Sequence, residues 1–145
     1  MHMPLAGTLK ELVYVPGRLF SVNQNTADNI PDLFAINERA VCIFDTADGP
    51  MAVVLVGAMI VAGIETVWAG PVAPAAHGMK VISYNDPACT PVHLQRGMEL
   101  GRFLLGSTAI VLFGPGMVIW NEELAAGSLV RLGQQVGRQS TTLAV

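Results

Sequence analysis

Charge is the scarcest property of this chain. Only 13% of its 145 residues are charged, against about a quarter in a typical soluble domain. Lysine occurs only at Lys10 and Lys80, the arginines are scattered, and the net charge is −3. No polybasic run therefore offers a surface for nucleic acid or an electrostatic anchor for anionic lipid. We predict no nucleic-acid partner.

Cysteine and long apolar runs are also in short supply. Cys42 and Cys89 lack the spacing of a metal site and do not form a disulfide framework. We interpret both as small buried hydrophobic residues and predict no metal site. The longest apolar run, Pro50–Ile64, has fifteen residues, fewer than the roughly 20 that a membrane-spanning helix needs. Its valine and isoleucine content favours buried strands.

Hydrophobic residues and turn formers make up for these shortages. Hydrophobic residues are 52% of the chain, and fifteen glycines and nine prolines divide them into short β-prone runs. This pattern is typical of an all-β domain, and the length predicts one domain over residues 1–145. The predicted strands are Leu9–Val15, Ala40–Phe44, Ala52–Val56, Ile60–Trp68, Met79–Ser83, Ala109–Phe113 and Val130–Leu132.

Turn signals predict the connections between these strands. Asp48-Gly49 predicts a hairpin, Gly114-Pro115-Gly116 a tight turn, and the Pro- and Ala-rich stretch Pro71–His77 a loop. Short helical turns are expected at Ala27–Leu33 and Asn121–Ala125.

The segment Leu105-Gly106-Ser107-Thr108-Ala109 carries the most distinctive chemistry. In a tight turn the Ser107 Oγ can attack the preceding carbonyl and convert the amide into an ester. β-Elimination then leaves dehydroalanine, whose hydrolysis gives a pyruvoyl group on a new N-terminus. Glycine at position 106 has no Cβ to obstruct the hydroxyl. Gly-Ser-Thr alone is equally typical of an ordinary turn, so the flanking residues must decide.

The flanking residues match a known pattern. Residues 95–108 read Gln-Arg-Gly-Met-Glu-Leu-Gly-Arg-Phe-Leu-Leu-Gly-Ser-Thr. This resembles the processing-site region of phosphatidylserine decarboxylases, typically Lys-Gly-x-Glu-Met-Gly-x-Phe-x-x-Gly-Ser-Thr, and the chain looks like the long bacterial type. Further matches follow in order: His2-Met3-Pro4, Gly7-Thr8-Leu9, Val15-Pro16-Gly17, Leu19–Asn23, Phe34–Arg39 and Val56-Gly57-Ala58 with Val61, Ile64 and Trp68.

The resemblance implies a fold and a reaction. The implied fold is a β-rich barrel-sandwich arrangement similar to biotinyl and lipoyl carrier domains. The implied proenzyme cuts itself into a β piece, 1–106, and an α piece, 107–145, and Ser107 becomes a pyruvoyl cofactor. The reaction converts phosphatidylserine into phosphatidylethanolamine, and the enzyme is peripheral on the cytoplasmic side of the bacterial cell membrane. A homodimer is a further candidate assembly.

The resemblance also implies roles for individual residues. His2 would help to activate Ser107, although a terminal histidine is expected to fray. Phe20, Ser21, Asn23 and Asn37 would help to shape the pocket around the pyruvoyl. The alternative for these four is ordinary hydrogen bonding in loops and at strand ends.

Three other polar residues are interpreted more simply. Glu99 is either a carboxylate near the site or the partner of Arg96 or Arg102 in an ion pair. His77 and His93 match no family motif and are predicted to lie on the surface.

One departure from the family bears on activity. Family members carry a long N-terminal region before the His-Met-Pro motif, with membrane-lying segments, an aspartate that orients the His2 equivalent, and a second histidine. This sequence contains none of them, so we expect a fragment, half of a split enzyme or a degenerate relative. Membrane contact would come from the missing region. The alternative function is a catalytically inactive β-module, carrier-like or partner-binding, derived from the same fold.

Overall fold

The computed structural model describes residues 1–59, 63–73, 78–106 and 108–140. The all-β prediction is confirmed, because strands dominate the described residues and both helices are short. None of the described helices has the length and apolar character that a bilayer crossing requires. The elements are β1 (Gly7–Val15), α1 (Gln24–Asn29), α2 (Leu33–Ile36), β2 (Arg39–Thr46), β3 (Gly49–Val56), β4 (Ile64–Thr66), β5 (Gly70–Ala73), β6 (Lys80–Ser83), β7 (His93–Leu94), β8 (Gly101–Phe103), β9 (Thr108–Phe113), β10 (Val118–Trp120) and β11 (Gly137–Gln139).

The strands form three antiparallel sheets. The main sheet has the order β6-β1-β2-β3-β9, and β7 pairs with β1. A second sheet has the order β5-β4-β8, and β10 pairs with β11. None of these sheets closes into a barrel within the described part of the chain. The predicted hairpin at Asp48-Gly49 is confirmed: Thr46 pairs with Gly49 across the turn, and Gly49 has a φ of 131° that favours glycine.

The core is built on β1, β2 and β3. β2 buries every second residue, whereas β3 is buried throughout from Val53 to Val56. Leu9 and Leu12 are three positions apart, yet both are buried. Strict alternation would expose one of them, and a β-bulge between Leu9 and Glu11 takes up the extra residue. Trp68 packs edge-on against Phe44 with the ring centroids 6.0 Å apart, which joins the second sheet to the core. The other buried members on these strands are Tyr14, Ala40, Cys42, Met51, Val53 and Leu55.

The two cysteines differ, so one prediction is right and one is wrong. Cys42 is buried in the core, and this burial raises the pKa of its thiol to about 12. The thiol is therefore protonated at neutral pH and behaves as a small hydrophobic group. Cys89 is exposed, because it lies in a turn closed by the hydrogen bond from its N–H to the Asp86 carbonyl.

Two predicted strands need correction. The strand predicted at Ile60–Trp68 ends at Thr66, because the next residues turn and the chain reverses at Gly70, whose φ is 65°; residues 60–62 lie outside the described ones. Gly70–Ala73 is a strand, where the loop Pro71–His77 was predicted; residues 74–77 are not described. Val130–Leu132 is not a strand, since both ends are exposed and Gln134 closes a turn on the Arg131 carbonyl.

The helical predictions were also only partly right. The helix predicted at Ala27–Leu33 is replaced by α1 and α2, with Pro31 between them. Asn23 sets the start of α1 because its side chain accepts a hydrogen bond from the Thr26 N–H. Asn121–Ala125 forms turns and no helix. The turn at Gly114–Gly116 is confirmed, closed by the hydrogen bond from the Met117 N–H to the Gly114 carbonyl.

Gly101→Ala should destabilise the fold. A β-carbon at this position would overlap the Glu65 carbonyl on the paired strand β4, and backbone cannot move away without breaking the β4–β8 ladder. We expect the free energy of unfolding to fall by about 1–3 kcal/mol, measured by urea denaturation. Gly106→Ala is the control. It is exposed, and its β-carbon would meet no atom of the described residues within 4 Å, so a change within about 0.5 kcal/mol is expected. Equal losses would contradict the packing argument.

Candidate functional site

The Gly106-Ser107 bond lies in a crossing between two sheets. Strand β9 begins at Thr108, which pairs with Val56 at the end of β3. Strand β8 ends at Phe103, which pairs with Ile64 at the start of β4. Residues 57–63 and 104–107 therefore connect the same two sheets and are flanked at both ends by paired strands. The hydrogen bond from the Leu104 N–H to the Gly63 carbonyl, 3.1 Å long, extends this pairing into the crossing.

Of the two residues at the predicted cleavage site, Gly106 is among the described residues. Ser107, the predicted pyruvoyl precursor, lies outside the described residues. Gly106 is exposed, and a β-carbon there would meet no atom within 4 Å. Packing against the described neighbours therefore does not demand glycine at position 106. What glycine would contribute is unobstructed access to its own carbonyl.

Asn37 ties the predicted pocket segments to this crossing. Its side chain is fully buried. The Oδ1 atom accepts from the Phe20 N–H at 3.1 Å, and Nδ2 donates to the carbonyls of Phe20 at 2.9 Å and Gly57 at 3.0 Å. Gly57 directly follows Val56, the residue paired with Thr108. The structure thus brings Phe20 and Asn37 together next to the crossing that contains Ser107.

A buried Tyr14–Glu38 pair adjoins Asn37, and sequence reasoning missed it. The Tyr14 hydroxyl donates to Glu38 Oε2 at 2.6 Å, and the Glu38 residue is only 7% exposed. The Glu38 carbonyl also accepts from the Gly57 N–H at 2.7 Å. A carboxyl group costs free energy to bury unless it is hydrogen-bonded, and Tyr14 supplies that bond. The available signal was a tyrosine at an inward-facing position of β1.

The other two predicted pocket residues make local hydrogen bonds. Asn23 is exposed and caps α1, and its Nδ2 donates to the Ser21 Oγ at 3.3 Å. The Ser21 carbonyl accepts from the Thr26 hydroxyl at 2.7 Å. Loop and helix-cap bonding, the alternative raised from the sequence, accounts for the contacts of these two residues. Their role toward a pyruvoyl group stays a prediction.

His2 is anchored by its backbone, so the expected fraying is wrong. His2 forms a β-bridge with Glu99. The next residue, Met3, is buried and exchanges hydrogen bonds with the backbone of Met98 and Gly97, each 2.9 Å long. The His2 side chain is exposed and has no hydrogen-bond partner among the described residues. His2 therefore lies beside the segment that leads through β8 to Gly106.

The remaining sequence predictions concern residues away from the crossing. Glu99 forms a two-bond ion pair with Arg102, 3.0 and 3.1 Å long, which confirms one of the predicted partners. His93 is exposed, as predicted, and its Nδ1 lies 3.0 Å from the Thr8 hydroxyl; His77 lies outside the described residues. Within the described ranges, no group of three or more metal-ligating side chains is arranged to hold an ion.

Comparison with known proteins gives a consistent result. The sequence model of the family described as phosphatidylserine decarboxylase matches residues 1–138. A phosphatidylserine decarboxylase proenzyme of Pseudomonas putida is 69% identical over 136 residues, which cover 94% of this chain and 47% of the relative. The same-named proteins of Pseudomonas fluorescens and Ectopseudomonas mendocina are each 68% identical over 137 residues, which cover 94% of this chain and 48% of each relative.

Two facts follow from these matches. The chain spans about half the length of the curated relatives it matches. The match to the family model extends over residues 1–138 and includes the segment that carries Gly106-Ser107-Thr108. The chain therefore belongs to the phosphatidylserine decarboxylase family.

Proposed function

We propose that this chain is the portion of a phosphatidylserine decarboxylase proenzyme that carries the self-cleavage site. The observation that carries the proposal is the position of Gly106-Ser107-Thr108 in a sheet-to-sheet crossing beside the buried Asn37 cluster. Cleavage would separate residues 1–106 from residues 107–145. The whole enzyme would convert phosphatidylserine into phosphatidylethanolamine and CO2.

The pyruvoyl group fits this chain because its precursor is the chain's own Ser107. Such a group supplies an electron-withdrawing ketone that takes up the electrons released when the substrate carboxylate leaves. The residues around the crossing have a holding role. Asn37 fixes the backbone of Phe20 and Gly57, and Glu38 fixes Gly57 from the other side. The ladder between β3 and β9 would keep the two pieces together after the cut.

His2 is the proposed activator of Ser107, but the described residues around it do not hold its side chain in one orientation. A general base needs a partner that holds its tautomer and orientation. No described residue hydrogen-bonds to the His2 side chain. In the whole enzyme that partner would come from a region this chain does not contain. The same region would provide peripheral contact with the cytoplasmic side of the cell membrane. A homodimer is a further candidate assembly.

The His2 side chain is exposed and no described residue hydrogen-bonds to it, which also favours a second candidate function. A family member that has the cleavage motif but lacks an oriented base would be a catalytically inactive β-module, carrier-like or partner-binding. The two candidates differ in one observable, the covalent state of the Gly106-Ser107 bond in a chain supplied with the missing region.

The first prediction concerns this bond. Expressed alone, the chain should stay mostly uncleaved because no described residue orients the His2 side chain. Intact mass after long incubation measures this. A chimera that supplies the unmatched part of the Pseudomonas putida relative should cleave, and Ser107→Ala should abolish the cut. Gly106→Ala in the chimera should slow the cut without unfolding. Cleavage of the Ser107→Ala chimera at the same bond would rule out serine attack.

The second prediction concerns the new N-terminus. If the chimera cleaves, the piece beginning at position 107 should carry a ketone in place of an amine. Cyanoborohydride with an added primary amine should reduce the adduct and increase the mass of that piece alone, and hydroxylamine should block turnover. A free serine amine at position 107, detected by N-terminal sequencing, would show plain hydrolysis and contradict the pyruvoyl assignment.

The third prediction separates the buried amide from the exposed one. Asn37→Ala removes three hydrogen bonds and leaves the polar groups of Phe20 and Gly57 without partners, so we expect a loss of about 2–4 kcal/mol in unfolding free energy. The cleavage rate of the chimera should fall as well. Asn23→Ala, which removes only a helix cap, should cost about 1 kcal/mol and leave cleavage unchanged. A cleavage defect in Asn23→Ala equal to that in Asn37→Ala would place Asn23 in the site.

A further inference from the structure

The outer edge of β9 is open and uncharged. In the main sheet β9 pairs with β3 on one side, and no strand among the described residues pairs with its other side. Its six residues include neither a charge nor a proline. The opposite edge is different, because β6 has only four residues and carries Lys80. Short length and lysine discourage pairing with another chain, so β9 is the edge built to receive a partner.

The loop between β10 and β11, residues 121–136, presents large aliphatic side chains to solvent. Leu129 is 97% exposed, Leu132 is 83% exposed and Val130 is 56% exposed. Side-chain hydrogen bonds close the turns around them: the Ala125 N–H donates to the Ser128 Oγ, and the Arg131 N–H donates to the Gln134 Oε1, both at 2.9 Å. An apolar surface held in shape before binding loses little conformational entropy when a partner covers it.

The hairpin of β10 and β11 joins this loop to β9. Trp120 is 55% exposed and packs against Phe113 of β9 with ring centroids 5.9 Å apart. Trp120, Gln135 and Arg138 line an open groove of about 440 Å³. We call the β9 edge, the loop 121–136 and this groove the β9–β11 face.

We propose that the β9–β11 face docks the half of the longer relatives that this chain does not span. The curated relatives are about twice as long as the matched region. Apolar patches of this kind mark interaction sites. Residues 108–132 contain only three charges, Glu122, Glu123 and Arg131, so a polypeptide that adds a strand and buries leucines fits better than an anionic bilayer. The proposal rests on family membership and goes beyond the proposed chemistry.

The test uses the chain with Ser107→Ala, so that no result depends on cleavage. The unmatched part of the Pseudomonas putida relative is expressed as a separate polypeptide and titrated onto the chain. We expect a complex in which hydrogen–deuterium exchange slows at residues 108–113 and 121–136. The double variant Leu129→Ser and Leu132→Ser should weaken binding at least about tenfold, because each substitution removes apolar surface that the partner would bury.

The matched control removes two other exposed apolar side chains, from the opposite edge of the main sheet. Met79→Ser with Val81→Ser changes side chains that are 67% and 53% exposed and should alter the affinity less than twofold. Both double variants should fold, as expected of substitutions at exposed sites, and circular dichroism with thermal unfolding checks this.

Several results would overturn the proposal. They are no complex at all, equal losses in the two double variants, or exchange protection that lies elsewhere. Dimerisation of this chain through the β9–β11 face that the added polypeptide cannot displace would instead identify a second copy as the occupant. If the separate polypeptide does not fold, the chimera replaces it. Exchange at residues 121–136 that is as fast in the chimera as in the isolated chain would then refute docking.

Discussion

The double pairing of β3 and β4 is the constraint on which the rest of the structure depends. β3 pairs with β9, and β4, which follows it in the chain, pairs with β8. Val56 and Thr108 form the end pair of the first ladder, and Ile64 and Phe103 form the end pair of the second. In the sequence, the Gly106-Ser107 bond therefore lies between the last residue of β8 and the first residue of β9. A bond inside either ladder would have its carbonyl held by a neighbouring strand and would be unavailable for attack by a side chain.

Buried polar groups hold the backbone at the end of β3, next to this part of the chain. Asn37 and Glu38 come directly before β2, and both bind the backbone at Gly57, the first residue after β3. Gly17 has no β-carbon and can therefore lie close to the backbone of residues 36–38. This close approach lets the β-bridge between Arg18 and Asn37 form. The Asn37 amide bonds to backbone groups and the Glu38 carboxyl group accepts from the Tyr14 hydroxyl, so neither side chain relies on a charged partner. The arrangement thus suits a chain with few charged residues.

The sequence predicts the fold well where turn formers separate β-prone runs. β1, β2, β3, β6 and β9 each contain such a run, and glycine, proline, asparagine or aspartate residues separate these runs along the chain. β7, β8, β10 and β11 have only two or three residues, and their strand character comes from pairing with distant segments, which no local pattern reveals. Val130–Leu132 was wrongly predicted as a strand because an apolar pair in a solvent-exposed loop has the same composition as a short buried strand.

The site was predictable in part, for a related reason. Family motifs predicted Phe20 and Asn37 as pocket residues. The hydrogen bond from Asn37 to Gly57 joins residues 20 positions apart in the chain and could not be predicted without the fold. The Tyr14–Glu38 pair depends in the same way on the packing of β1 against the segment before β2.

The β3–β9 pairing has a consequence for how accurately a reactive group could be placed. After a cut at Gly106, the new terminus would be fixed by the six cross-strand residue pairs from Val56 to Met51. A slip of one residue would translate that terminus by about 3.3 Å along the strand and turn its first side chain to the opposite face of the sheet. The far end of the ladder lies about 15 Å or more from the new terminus, at a rise of about 3.3 Å per residue. The strand alignment at that far end would therefore decide how far the ketone reaches toward a substrate. Substitutions near Phe113 could therefore alter catalysis without touching any group at the site.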